Sequence, residues 1–164
     1  MNKEVKLFCG NGRGKTGAAI GCGIQAACEG KAVFMVSFLK GKNNTDLDYL
    51  RKLEPEIKVF NFDKFEYGFK SLTEEEKQEE RLHVRNGLNF AKKVIQTEEC
   101  DVLILDEVLD LPAYGVVTEE ELIPLLESVR EDMQLIMTGT NRCERLWPHA
   151  TRVTQVTTLK EIEE

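Results

Sequence analysis

The chain has little of what several protein classes require. No apolar run approaches the ~18 consecutive residues that a membrane span needs, so a transmembrane helix is not expected. Positive charge is in deficit: 22 Lys and Arg stand against 29 Asp and Glu, for a net charge of −7. A nucleic-acid backbone partner therefore has no compositional support, a local basic patch at Arg142, Arg145 and Arg152 being the alternative. The cysteines, Cys9, Cys22, Cys28, Cys100 and Cys143, are odd in number and show neither a C-x-x-C pair nor a zinc-like spacing. They read as reduced, mostly buried thiols. There is no N-K-x-D element to read a guanine base, and the histidines, His83 on a charged stretch and His149 after Pro148, carry no recognisable motif. Repeats, low-complexity tracts and linkers are missing too, which leaves one domain over residues 1–164. The first apolar strand begins close to Met1 with no room for a signal peptide, so the expected location is cytoplasmic.

What is present is concentrated near the start. In V-K-L-F-C-G-N-G-R-G-K-T-G, residues 5–17, an apolar strand runs into a glycine-rich turn that ends in Gly14-Lys15-Thr16. Glycines let successive backbone N–H groups converge on phosphate oxygens, a lysine reaches the terminal phosphates, and the threonine hydroxyl can face Mg²⁺. Thr16 to Glu29 reads as a helix whose N-terminal dipole adds to the anion site. The expected nucleotide contacts are Asn11, Gly12, Arg13, Gly14, Lys15, Thr16 and Gly17. The standard G-x-x-x-x-G-K-[ST] pattern has a glycine where this chain has Cys9; its first glycine, Gly10, comes one place late.

Further along, strand-like and helix-like segments alternate. Ala32 to Leu39 is a near-continuous apolar run, as a parallel strand buried on both faces requires. Asn43 and Asn44 lie in a polar segment that leads to a short helix, Asp46 to Leu53, and Ile57 to Phe62 reads as strand. Thr73 opens a long helix with a capping box to Glu76; it runs to about Thr97, with Leu82, Leu88, Phe90, Ala91, Val94 and Ile95 on its apolar face. Asp101 to Leu105 reads as strand, Thr118 to Ser128 as a second capped helix, and Gln134 to Thr138 as strand. A short helix over Arg142 to Trp147, stopped by Pro148, precedes a last strand, Arg152 to Thr157. Strands separated by helices argue for an open α/β sheet with helices on both faces, binding its ligand at the strands' carboxyl ends. There, Val102-Leu103-Ile104-Leu105 runs straight into Asp106-Glu107, the placement of the acids in a Mg²⁺·nucleotide site.

Together these residues resemble the P-loop ATP:corrinoid adenosyltransferases. The loop is similar to that family's G-N-G-K-G-K-T variant, and the further matches are F-L-K-G at Phe38 to Gly41, Gly68-Phe69, V-L-I-L-D-E at Val102 to Glu107, and T-G-x-N at Thr138 to Asn141. The resemblance covers roughly residues 5–157 in order. It implies a RecA-like, mostly parallel six-stranded sheet, a homodimer, ATP as co-substrate with its triphosphate reversed in the loop, Mg²⁺, and a reduced corrinoid whose cobalt(I) attacks the ribose 5′ carbon. It also implies a flavoprotein as a source of electrons. By the same resemblance Lys15 and Glu107 are the catalytic residues, Thr16, Asp106 and Glu107 face the metal, and Asn141 and Phe69 touch the substrates. Arg13 and Lys40 support phosphates or are solvated surface charge.

The pattern departs from the family in places. Where members carry F-x-W, an aromatic pair that displaces the corrinoid's lower ligand, this chain has Phe69-Lys70-Ser71. T-G-R-N appears as Thr138-Gly139-Thr140-Asn141, and neither an N-terminal extension nor the H-x-x-x-x-G tail segment is recognisable. Nucleotide binding is expected to survive these changes more easily than corrinoid handling. Two alternatives stay open: a P-loop ATPase or phosphotransferase using Glu107 and Arg142, and a non-catalytic ATP-binding regulator of corrinoid proteins.

Overall fold

The computed structural model describes residues 3–42 and 45–163. Asn43 and Asn44, in the expected polar segment, lie outside the described residues. The elements are β1 (Glu4–Cys9), α1 (Lys15–Cys28), β2 (Val33–Ser37), α2 (Thr45–Arg51), β3 (Ile57–Asn61), α3 (Glu74–Thr97), β4 (Val102–Asp106), α4 (Glu119–Glu127), β5 (Gln134–Thr138) and β6 (Arg152–Gln155). Short 3₁₀ turns fill several connections.

The six strands form one sheet in the order β3-β2-β4-β5-β1-β6. Every pairing is parallel. This is the open parallel α/β sheet that the sequence predicts, and one strand, β5, separates the loop-bearing β1 from the acid-bearing β4. Alternation along each strand sends side chains to opposite faces. Leu103 and Leu105 of β4, with Val36, Leu135 and Met137, enter the core that contains Val84, Leu88, Ala91 and Leu122 of α3 and α4. Ile104, with Met35, Ile57 and Ile136, enters the core beneath Ala19 and Ala26 of α1. All five residues of β4 are buried, which is why this strand reads as an unbroken apolar run.

Both capping boxes are formed. Thr73 Oγ1 accepts from Glu76 N while Glu76 Oε1 accepts from Thr73 N, and Thr118 and Glu121 repeat the pattern. Two local expectations change. Leu82 is 65% exposed, because it lies two residues before buried Val84 and therefore about 200° around the helix from it. The short helix before β6 is a 3₁₀ turn over Glu144–His149 that contains Pro148. Its bonds run from Leu146 N to Cys143 O and from Ala150 N to Trp147 O, a spacing that Pro148 does not interrupt.

The turn after β2 is tightly fixed. Gly41 has φ +78°, and a Cβ there would lie 2.5 Å from Glu66 O and from the Tyr67 carbonyl carbon. Its N–H donates to Oδ2 of buried Asp63 at 2.8 Å. Gly41→Ala combines left-handed strain with backbone overlap and is expected to cost about 2–3 kcal/mol. A lowered urea midpoint checks this; an unchanged midpoint would show that the 64–68 segment yields freely.

Candidate active site

The carboxyl ends of β1, β4 and β5 bring the loop, the two acids and a threonine together. Thr16 begins the second position of α1, and its Oγ1 donates to Asp106 Oδ1 at 2.8 Å. Thr138, at the end of β5, donates from Oγ1 to the same carboxylate oxygen at 2.7 Å and accepts from Glu107 N at 2.9 Å. One hydroxyl thus ties the Asp106 carboxylate of β4 and the Glu107 backbone that follows it to β5. Lys40 Nζ lies 2.5 Å from Asp106 Oδ2, and its side chain is only 13% exposed. It is therefore a buried counter-ion rather than the solvated charge that was its alternative.

Glu107 leaves β4 with φ +67°, a left-handed conformation that costs a long side chain energy. Burial raises its carboxyl to about 7. Lys40 pulls it down, while Asp106, Asp110 and Asp63 push it further up. Among the described residues no cluster of three His, Cys, Asp or Glu side chains forms a closed metal cage. The donors present are oxygen atoms, and of the Asp106 carboxylate Oδ1 accepts from two hydroxyls while Oδ2 meets only the Lys40 ammonium. Such a set suits a hard cation held jointly with substrate phosphates, as Mg²⁺ usually is. A cation beside Glu107 also favours its ionised form.

In the loop, Lys15 Nζ donates to Gly12 O at 2.7 Å, so the ammonium is folded over the turn. Gly14 is the N-cap of α1 with no side chain bonded to the helix start, and Gly17 lies exposed in the first turn. Asn11 and Arg13 are exposed as well. Arg13 Nε pairs with Glu161 Oε1 at 3.0 Å. Asn141 stands apart from the loop: its N and Nδ2 donate to Asp110 Oδ1 at 3.0 and 2.8 Å.

A model of the ATP:corrinoid adenosyltransferase family BtuR/CobO/CobP matches residues 2–163. The chain belongs to that family. The corrinoid adenosyltransferase of Escherichia coli (strain K12) is 30% identical over 142 residues, covering 86% of this chain and 69% of that protein. The corrinoid adenosyltransferase CobA of Salmonella typhimurium (strain LT2) shows the same 30% over 142 residues, with the same 86% and 69% coverage. An uncharacterised Nostoc protein, all2391, is 26% identical over 160 residues, which cover 89% of this chain and 41% of the other. Among solved structures, the replication initiator DnaA bound to AMPPCP and single-stranded DNA superposes with a TM-score of 0.47 at 15% identity. That match spans 96% of this chain but only 40% of the other, and one so loose carries no argument.

Within this adenosyltransferase, a cavity of about 290 Å³ opens beside Glu107 and is lined also by Phe69, Lys70, Ser71, Asp110 and Tyr114. Phe69 is buried and packs on Tyr114 with ring centroids 4.9 Å apart, flanked by Lys77 and Arg81. Asp110 also accepts from Thr140 N at 2.9 Å, so its carboxylate holds the start of the loop after β5. Sequence reasoning gave no role to Asp110, and named Thr138 only as the start of the T-G-x-N match. Thr138 had a signal, since it is the polar residue ending an apolar strand at the ligand end of the sheet. Asp110 had none, because its partners, two backbone amides and the Asn141 side chain, lie some thirty residues away.

The arginine nominated for an ATPase alternative is half-exposed and has partners of its own. Arg142 stacks on Trp147 at 4.9 Å and pairs with Glu144 at 3.1 Å. Among the described residues no helix is long and apolar enough to cross a membrane.

Proposed function

We propose that this chain transfers the 5′-deoxyadenosyl group of ATP to the cobalt(I) of a corrinoid, releasing triphosphate, in adenosylcobalamin formation. The observation that carries the reading is the Thr16–Asp106 hydrogen bond, which joins the phosphate loop to the acid strand. Cobalt(I) donates its electron pair to the ribose 5′ carbon, the C5′–O bond breaks, and its electrons depart on the triphosphate. Because cobalt(I) is itself a strong nucleophile, the protein needs no general base. Its tasks are to align the reactants and to neutralise a polyanionic leaving group.

Lys15 and the loop amides perform the second task, and Thr16, Asp106 and Glu107 would hold Mg²⁺. When bound, Mg²⁺ supplies positive charge to the departing triphosphate oxygens. Lys40 orients Asp106 through their ion pair. Arg13, Gly12, Gly14 and Gly17 frame the phosphates; Asn141 acts from the loop after β5. Phe69 faces the corrinoid, which lies across the mouth of the 290 Å³ cavity, since that volume suits only part of so large a ligand. The family resemblance further supports a homodimer, a flavoprotein electron donor and a cytoplasmic location.

The deciding experiment mixes the protein with Mg²⁺·ATP and chemically reduced cob(I)alamin. Triphosphate together with adenosylcobalamin establishes the transferase; ADP and phosphate with unchanged corrinoid would establish a hydrolase instead. A second result concerns Ser71, which is exposed and brings no aromatic ring to the cavity. Supplying cob(I)alamin should raise the rate at least about tenfold over a cob(II)alamin and reductant mixture, the equivalent of one missing hydrophobic wedge. Equal rates would mean that another aromatic replaces it. Phe65, packed against the core, and Tyr67, 64% exposed, are the candidates.

A further inference from the structure

We propose that residues 156–163 form a strap that competes with the nucleotide's phosphates for the donors of the phosphate loop. The inference rests on the reading of that loop as an ATP site. After β6 the chain turns across the loop instead of leaving the sheet. Val156 N donates to Cys9 O at 2.8 Å, and Gly12 N donates to Val156 O at 2.9 Å. Arg13 N donates to Thr158 Oγ1 at 3.2 Å. The Arg13 guanidinium pairs with Glu161 Oε1. A carbonyl, a hydroxyl and a carboxylate therefore occupy two loop amides and the loop's own arginine. This is an acceptor set of the kind a phosphate chain would present.

The loop glycines permit the approach. A Cβ on Gly10 would lie 2.5 Å from Val156 O, and one on Gly12 would lie 2.7 Å from that oxygen and 2.8 Å from the amide nitrogens of Thr157 and Thr158. Glycine at these two positions thus serves the strap as directly as it serves a ligand.

The strap is lightly held beyond Val156. Leu159 and Ile162 are 95% and 80% exposed, so no apolar burial anchors the segment. The Thr158 bond and the Glu161 ion pair are both solvent-exposed, and contacts of that kind are weak. One amide N–H cannot serve Val156 O and a phosphate oxygen equally well, and the Glu161 carboxylate repels a triphosphate brought to Arg13. Gly14 to Gly17 offer a first landing point; full engagement of Gly12 and Arg13 then requires the strap to lift.

The test uses the full chain, Mg²⁺·ATP and no corrinoid. Two measurements are made: the ATP dissociation constant of wild type and of the Thr158→Val, Glu161→Gln double variant by calorimetry, and the ¹H–¹⁵N NOE of residues 157–163 with and without ATP. The strap predicts ATP binding about three- to tenfold tighter in the variant, since two exposed contacts no longer compete, and NOE values that fall when ATP binds. A strap that merely shapes the loop predicts the opposite, weaker binding in the variant and NOE values that hold or rise. Unchanged affinity with an unchanged NOE in the ATP complex overturns the strap alone. Failure of ATP to bind either protein overturns the ATP reading and the strap with it.

Discussion

Lys15→Ala should leave a folded protein whose Mg²⁺·ATP dissociation constant rises about 100-fold or more and whose adenosyl transfer is lost. The fold survives because Lys15 sits at the first position of α1, partly exposed, and its ammonium meets only the Gly12 carbonyl within its own loop. Removing it leaves no buried charge unpaired, so the expected change in stability is small. Binding suffers because the ammonium is already gathered over the turn where the phosphates must lie. Loop amides provide partial charges; the ammonium provides a full one to a polyanion. Calorimetric titration with Mg²⁺·ATP, alongside a thermal melt of both proteins, separates the two effects. Near wild-type affinity would remove the loop from the mechanism and with it the role proposed for Thr16. Lys15→Arg is expected to recover little, since a planar guanidinium cannot fold back onto Gly12 as the compact ammonium does.

The sheet was legible because its signals are local. Five buried residues in β4 and the unbroken run in β2 announce parallel central strands, and T-x-x-E marks two helix starts whose caps the structure forms. Periodicity places most of the apolar face of α3, yet Leu82 shows its limit: it lies off the stripe of Val84, Leu88, Ala91 and Ile95, and being apolar did not by itself put it inside. The strand order is also invisible locally. That β5 lies between β1 and β4 follows from packing over the whole sheet, and only that order puts Thr138 beside Asp106. The site divides in the same way. Lys15, Thr16, Asp106 and Glu107 belong to contiguous motifs and could be named from the chain alone. Lys40 was visible but ambiguous, because a lysine after an apolar strand looks the same whether it faces water or a buried carboxylate. The contacts of Asp110 with Thr140 and Asn141, and of Thr158 with Arg13, run between distant segments and, the Asn141 side chain apart, use backbone donors that every residue but proline possesses. No residue type could have announced them.

Glu107→Ala should lower the rate of adenosyl transfer by about 10²–10³ while leaving ATP affinity much less affected. Glu107 lines the cavity with Phe69, follows the Asp106 that anchors Thr16, and is held in the left-handed region by the bond from its N–H to Thr138. Its carboxyl, raised to about 7 by burial, is half-neutral near that pH in the free protein, whereas Mg²⁺·ATP brings positive charge that favours the carboxylate. The side chain thus gains its full charge when the nucleotide arrives. Glu107→Gln keeps shape and loses charge, so it should resemble Glu107→Ala if the metal role is correct. Glu107→Gly adds a sharper test. Glycine relieves the positive φ and removes a half-buried acid, so the protein should gain about 1 kcal/mol in urea unfolding even as single-turnover formation of adenosylcobalamin from cob(I)alamin collapses. A residue kept for packing would show stability and rate falling together. Stability rising while the rate falls identifies strain maintained for chemistry; near wild-type transfer in all three variants would move the metal away from β4.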